Sequence, residues 1–163
     1  MNDSVIPFAL LCFTSFFTLI NPLGTMPVFL SMTTGMTESE RKRIIMKATF
    51  VAFLIMISFT VFGQFLFQVF GLSTNGFRIA GGIVIMKIGY DMLQAHYTHI
   101  KLNEDEKMHF ADDISITPLA IPMLCGPGAI ANGIVLMEDA ETLLKKAILI
   151  FIIAVVFLIT AFI

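Results

Sequence analysis

The stretch of sequence that decides the fold reads Asn21-Pro22-Leu23-Gly24-Thr25-Met26-Pro27 and lies inside an apolar run from about Val5 to Met32. A second tract, Pro122-Met123-Leu124-Cys125-Gly126-Pro127-Gly128, interrupts another apolar run, from about Ile114 to Met137. Proline has no backbone N–H and leaves a carbonyl of the preceding turn without its partner, so each tract should break a helix. At membrane depth such breaks occur where protein or a wet cavity receives the freed backbone groups. Two of them therefore indicate a transport site.

The composition is that of an integral membrane protein. Of the 163 residues, 57% are hydrophobic and 13% are charged, and 17 are Phe. Apolar runs long enough to cross roughly 30 Å of hydrocarbon recur along the chain. The net charge of -2 and the lack of basic clusters among aromatic residues argue against a nucleic-acid partner.

The hydropathy pattern predicts an all-α membrane protein, a polytopic helical bundle in a single transmembrane domain covering residues 1–163. The predicted spans cover about 5–32, 44–67, 77–95, 114–137 and 147–163. The first and the fourth span should be broken near their middles. Thr37 and Glu40 match a capping box for the helix that carries the second span.

The two halves of the chain resemble each other. Glu40 to Ala48 is similar to Glu138 to Ala147, with Lys47 matching Lys146, and a broken span precedes this unit in each half. Three spans separate the copies, which predicts an inverted 3+3 repeat. Repeat one then covers 1–97, a solvated linker 98–113, and repeat two 114–163. On this interpretation the sixth span is absent from this chain; the alternative is a complete five-span protein.

The distribution of Lys and Arg in the short loops predicts the orientation. The loops after spans one and three carry Arg41, Lys42, Arg43, Lys101 and Lys107, whereas the loops after spans two and four carry Arg78, Lys145 and Lys146. The richer set should be cytoplasmic, which places the N-terminus outside.

The two breaks suggest what the site binds. A half-helix begins near the midplane after each tract, and its N-terminus presents N–H groups and a charge equivalent to about half a unit, which suits a carboxylate. Freed carbonyls nearby could hold an ammonium group, so the expected ligand is a zwitterion. Gly24, Gly126 and Gly128 would allow a small ligand to approach the backbone. The competing interpretation is that these glycines only pack helices together.

Other polar residues have less specific interpretations. Thr14, Thr18, Asn21 and Thr25 recur at helical spacing and could form a polar stripe facing the cavity, although helix packing is favoured for Thr14 and Thr18. Lys87 and Asp91, in the third span, could be a proton or ion relay facing the interior, and an i,i+4 ion pair or a snorkelling lysine is equally compatible.

No metal site or enzyme activity is predicted. His96, His99 and His109, with Asp112 and Asp113, lie in the polar linker without a rigid ligand motif and are interpreted as a solvated face. Arg78 is interpreted as an interfacial anchor. No catalytic set of Ser, His and Asp or of paired carboxylates lies at membrane depth. Apart from a coupling ion, Na+ or H+, no cofactor is expected.

Several stretches together resemble the MarC family. They are the tract at 21–27 with Phe29-Leu30, the run Phe77-Arg78-Ile79-Ala80-Gly81-Gly82-Ile83, and the run Thr117-Pro118-Leu119-Ala120-Ile121-Pro122 with Gly126-Pro127-Gly128-Ala129-Ile130. The resemblance implies a six-span protein of a bacterial or archaeal inner membrane, with three-plus-three inverted repeats, that moves small neutral amino acids such as glycine and alanine. Its SnatA-like branch implies a site at the two broken helices.

The sequence thus predicts a secondary transporter or exporter that works by alternating access around a midplane site. The candidate substrate-binding residues are Asn21, Pro22, Gly24, Thr25, Pro27, Pro122, Gly126, Pro127 and Gly128. The resemblance implies all of these except Thr25 as site residues. The alternative is a passive water or small-solute pore built from two half-helices, as in aquaporins, and a non-transporting scaffold is a third possibility. The transport direction, the coupling ion and the oligomeric state are left open.

Overall fold

The computed structural model describes residues 5–71, 73–93 and 124–163, which form six helices and no strand within these ranges. The helices are α1 (Val5–Ile20), α2 (Pro22–Met32), α3 (Glu38–Phe70), α4 (Thr74–Leu93), α5 (Pro127–Asp139) and α6 (Leu143–Phe162). Within the described residues, three stretches are long and apolar enough to cross a membrane, namely Val5–Leu30, Glu38–Phe70 and Leu143–Phe162. The prediction of a helical membrane protein is therefore confirmed.

The two helices that follow the proline tracts are short. α2 has 11 residues and α5 has 13, which correspond to roughly 16 Å and 20 Å at 1.5 Å per residue. Each is shorter than the roughly 30 Å of a hydrocarbon core. α2 begins at Pro22, directly after the break at Asn21, and α5 begins at Pro127, after Gly126. Both helices start where the proline tracts predicted an interruption.

The predicted capping box at the start of α3 is present. The Glu40 N–H donates to Thr37 Oγ1 (3.4 Å), and Glu40 Oε2 accepts from the Thr37 N–H (2.7 Å). At the start of α6, Thr142 Oγ1 accepts from the Lys145 N–H (3.2 Å). Two backbone N–H groups at the start of α3 and one at the start of α6 thereby gain hydrogen-bond partners that the helix itself does not supply. These caps fix where both long helices begin.

Three features at helix starts recur 105 residues later in the chain. They are the N-caps Asn21 and Gly126, the first-turn prolines Pro22 and Pro127, and the N-caps Thr37 and Thr142. Matching Lys47 to Lys146 implied a different offset, of 99 residues. A constant offset of 105 instead aligns Lys47 with Ile152. The helix starts are thus 105 residues apart, and the inverted repeat itself stays a prediction.

Helix α5 lies at the centre of the described bundle and contacts α1, α3, α4 and α6. Its small residues allow this, because a Cβ added to Gly133 would lie 2.4 Å from Thr60 Oγ1 on α3. On α3 the reverse holds: a Cβ added to Gly63 would lie 2.5 Å from Ile134 Cγ1. Close backbone approach at small residues is a common way for membrane helices to associate, since lipid provides no hydrophobic drive between them.

Helix α2 is much less covered than α5 in the part of the chain that the structure describes. Leu23, Met26 and Leu30 are exposed along it. Its C-terminal end is held by Arg41 on α3, whose Nε donates to the Thr33 carbonyl (3.2 Å). A guanidinium at this end also suits the negative end of the helix dipole. The turn between α2 and α3 is thus fixed, while the flank of α2 remains open.

Candidate functional site

The first break is made by the backbone of Asn21. This residue has φ 47 and ψ 63, in the left-handed region, where Asn is tolerated better than most residues other than Gly. Its N–H still donates to the Phe17 carbonyl (3.0 Å), and its own carbonyl accepts from the N–H groups of Gly24 (3.0 Å) and Thr25 (3.1 Å). One left-handed residue therefore ends α1 and starts α2 with few backbone groups left unpaired.

The Asn21 side chain folds over the start of α2. Its Oδ1 accepts from the Gly24 N–H (3.2 Å), as an N-cap does. A Cβ added to Gly24 would lie 2.2 Å from Asn21 Nδ2, which is too close for any other residue at this position without displacing the cap. The sequence predicted that a small ligand approaches the backbone at Gly24. Within the described residues, the Asn21 side chain makes this close approach instead.

The second break is capped differently. Gly126, the N-cap of α5, has no side chain to contribute, and its carbonyl accepts from the Ile130 N–H (3.1 Å). Among the described residues, no side chain caps the start of α5. Gly128 and Ala129 are buried there. The start of α5 thus differs from that of α2, which the Asn21 side chain caps.

An open cavity of about 750 Å³ connects the two tracts. Pro22 and Thr25 line it from the first tract, and Leu124 lines it from the second. The remaining wall comes from α2, from the first turns of α3 and from the end of α6, and includes Met26, Phe29, Glu38, Ser39, Arg41, Lys42 and Thr160. The cavity wall therefore combines charged residues from the start of α3 with apolar residues from α2 and α6.

Only some of the nine predicted binding residues line the cavity. Pro22 and Thr25 line the cavity, and Pro122 lies outside the described residues. The other six do not line it: Asn21, Gly24, Pro27, Gly126, Pro127 and Gly128. Of these, Pro27 and Pro127 are exposed and Gly128 is buried. Whether any of the nine binds substrate stays a prediction.

The predicted polar stripe does not reach the cavity as a continuous face. Thr14 and Thr18 are exposed and do not line the cavity, whereas Thr25 does. The left-handed backbone at Asn21 changes the helical register between them, so residues spaced by four across the break no longer share a face. The Thr14 hydroxyl donates to the Leu10 carbonyl (2.8 Å) within its own helix.

Lys87 is exposed on α4. It therefore does not face the interior of the described bundle, whereas its exposure is compatible with the alternative of a snorkelling lysine. Gly81 faces α5, since a Cβ added there would lie 3.0 Å from the Ala131 Cβ. Lys87 is six residues further on, which at about 100° per residue turns it well away from that contact face. The relay role of Lys87 and Asp91 stays a prediction, and the three histidines of the linker lie outside the described residues.

The structure adds one polar contact that the sequence analysis missed. Asn132 Nδ2, on α5, donates to Ser15 Oγ, on α1, over 3.1 Å. An Asn within an apolar segment is a recognisable signal, because such a group usually finds a partner inside the bundle. The partner could not be found from the sequence, since the two residues are 117 positions apart.

The all-helical fold, the apolar spans and the two interruptions define a polytopic helical membrane protein. The chain belongs to the MarC family of integral membrane proteins, which it matches over residues 6–163. No solved structure matches it.

Three relatives illustrate the similarity. The chain is 43% identical to the membrane protein YvbG of Bacillus subtilis (strain 168) over 123 residues, which are 74% of this chain and 58% of YvbG. It is 36% identical to the membrane protein MJ0972 of Methanocaldococcus jannaschii over 148 residues, 90% of this chain and 65% of the relative. It is 40% identical to the membrane protein YhcE of Escherichia coli (strain K12) over 126 residues, 76% of this chain and 58% of YhcE. The chain thus spans less than two thirds of the length of these relatives.

Proposed function

We propose that this protein is a secondary transporter of small neutral amino acids, of the glycine and alanine type, in a bacterial or archaeal inner membrane. The observation that carries the proposal is the cavity of about 750 Å³ that Pro22 and Thr25 share with Leu124. It brings together two helix interruptions that are about a hundred residues apart in sequence. A site at discontinuous helices, reached from one side at a time, is a common design of secondary transporters.

The capping of the two breaks supports a zwitterionic ligand. The positive end of the α5 dipole, at its first turn, attracts a carboxylate. Thr25, on the cavity wall, supplies a hydroxyl, which donates to the Pro22 carbonyl (3.0 Å) and can accept a further hydrogen bond. The helix end suits the carboxylate of a small amino acid, and the hydroxyl suits its ammonium.

The charges of the cavity wall support the same class of substrate. Glu38, Arg41 and Lys42 line it near the start of α3 and carry both signs of charge. A wall of mixed charge repels neither end of a zwitterion, whereas it would disfavour accumulation of a strongly charged solute. The proposed substrate is therefore a neutral amino acid.

Counterflow of labelled glycine in proteoliposomes, made with the full-length protein, tests this proposal. We expect saturable exchange that unlabelled alanine competes for, and a marked loss of exchange in Asn21→Ala because the start of α2 loses its cap. No saturable flux of any small neutral amino acid would remove the proposal. Fast, non-saturating swelling of the same vesicles would favour a passive pore instead.

A further inference from the structure

Arg78, at the start of α4, pairs with the end of α5. Its Nη2 lies 3.6 Å from Glu138 Oε2 and makes a short hydrogen bond with Asp139 Oδ1. The two carboxylates are adjacent at the C-terminal end of α5, where the helix dipole is negative and disfavours them. Arg78 offsets both the repulsion between these carboxylates and the repulsion from the helix end. The contact therefore has an electrostatic reason to form.

This ion pair lies at the opposite end of the bundle from the cavity's charged wall. α3 runs for 33 residues, roughly 50 Å, from Glu38 and Arg41 at the cavity to Phe70, directly before α4. The start of α4 is thus at the far end of α3. The cavity is also lined by the last residues of α6, 160–163, whereas the end of α5 leads into the start of α6. The path along α3 and the path along α6 therefore both place the ion pair at the end of the bundle away from the charged wall of the cavity.

We propose that Arg78, Glu138 and Asp139 form a gate latch, which closes the face of the transporter opposite the cavity by holding α4 against α5. The proposal rests on the alternating-access function proposed above and assigns which contact keeps the second face shut. With the latch formed, the substrate site communicates with the Arg41 side. Release of the latch lets the end of α5 move away from α4 and opens the Arg78 side.

The exposure of the three side chains suits a contact that forms and breaks in each cycle. The side chains of Arg78, Glu138 and Asp139 are 41%, 35% and 48% exposed, so water reaches them when they separate. An exposed pair of this kind is weak enough to exchange readily. The deeper contacts of α5, between Gly81 and Ala131 and between Ser15 and Asn132, lie further along the helix and can act as the pivot.

Labelling of the native Cys125 by a membrane-impermeant thiol reagent tests the latch in the full-length protein. Cys125 is 1% exposed and directly follows Leu124, which lines the cavity, so it reports water access to the second break. In a Cys12→Ala background, Cys125 is the one cysteine that remains among the described residues. We expect Arg78→Gln and Asp139→Asn each to raise the labelling rate from the Arg78 side at least about threefold. Labelling from the Arg41 side should fall or stay unchanged.

A matched control is the ion pair between Lys145 and Glu141 (3.9 Å), which lies near the latch but joins residues four positions apart. Glu141→Gln removes a comparable surface charge and should leave labelling unchanged. The exchanged pair Arg78→Asp with Asp139→Arg should lower the rate again relative to Arg78→Asp alone. Asp139→Asn is an exposed, near-isosteric change, so it remains informative if an Arg78 variant fails to fold.

Three results would overturn the latch. They are unchanged labelling in both Arg78→Gln and Asp139→Asn, an equal rise in Glu141→Gln, and no recovery in the folded exchanged pair. The labelling does not require transport, so its outcome is separable from that of glycine counterflow. A wild-type protein that carries no amino acid contradicts the proposed function, while labelling still reports whether the contact closes this face.

Discussion

The Asn132 side chain on α5 donates a hydrogen bond to the Ser15 hydroxyl on α1, and this contact joins the two interrupted parts of the protein (3.1 Å). Ser15 precedes the first break and Asn132 follows the second. Ser15 Oγ itself lies 3.2 Å from the Cys12 carbonyl of its own helix. The two polar side chains therefore satisfy each other inside a largely apolar bundle, and the half-helix α5 is held in a defined rotation about its axis.

The Ser15–Asn132 contact should be measurable by a double-mutant cycle. Hydrogen bonds between membrane helices are worth about 0.6 kcal/mol on average and up to about 1.7 kcal/mol. We expect Ser15→Ala and Asn132→Ala each to lower the free energy of unfolding in detergent by about 1 kcal/mol. The double variant should lose less than the sum. Thr14→Ala is the control, because the Thr14 hydroxyl bonds carbonyls of its own helix. Full additivity of Ser15→Ala and Asn132→Ala would contradict the contact.

Gly63 should not tolerate a methyl group. An added Cβ would lie 2.5 Å from Ile134 Cγ1, so Gly63→Ala should destabilise the protein by about 1 to 3 kcal/mol through overpacking between α3 and α5. The control is Gly82→Ala on α4, because, apart from its own helix, no heavy atom of the described residues lies within 4 Å of a Cβ added there.

The rescue variant for Gly63 is Ile134→Ala. In that background, Gly63→Ala should cost much less, because the truncated side chain leaves room for the methyl group. Thermal unfolding gives the melting temperatures of Gly63→Ala, Gly82→Ala, Ile134→Ala and the double variant. Equal melting temperatures for Gly63→Ala and Gly82→Ala would show that the two helices are not in close contact.

The left-handed backbone of Asn21 makes a further prediction about the first break. Asn21→Ala removes the cap and places Ala at φ 47, so it should cost about 2 kcal/mol from two separate effects of about 1 kcal/mol each. Asn21→Gly keeps the backbone conformation available and should cost only a few tenths of a kcal/mol.

Gly24→Ala should behave differently in these two backgrounds. In the wild type its methyl group displaces the Asn21 side chain, whereas after Asn21→Gly no such side chain is present. The change should therefore be harmful alone and nearly neutral in Asn21→Gly. Unfolding by denaturant in detergent gives all four values. An equal cost of Gly24→Ala in both backgrounds would contradict the close contact with Asn21.

The positions of the breaks were predictable because they depend on local chemistry. Pro22 and Pro127 each start a helix in the structure, as the missing N–H of proline requires. The capping box of Thr37 and Glu40 was predictable for the same reason. These features involve residues within one turn of each other, and their spacing in the sequence is their spacing in the helix.

The walls of the cavity were not predictable, because they depend on which distant helices meet. Arg41 and Lys42 were read as orientation signals, and the structure adds that they line the cavity. Thr160 lines it from the last turns of α6, more than a hundred residues from Thr25. The sequence shows Asn-Pro at the first break and Gly-Pro at the second, but it does not show that the Asn21 side chain adopts the rotamer that closes over Gly24.

Protection of a thiol at position 25 by substrate tests the central claim most directly. In the full-length protein, with Cys12→Ala and Cys125→Ala, Thr25→Cys places a thiol on the cavity wall, and Thr34→Cys places one on an exposed residue that does not line it. We predict that glycine and alanine slow labelling at position 25, saturably and at lower concentration than bulky amino acids, and leave position 34 unaffected. Labelling at position 25 that no small amino acid slows, or equal protection at both positions, would contradict a substrate site at the broken helices.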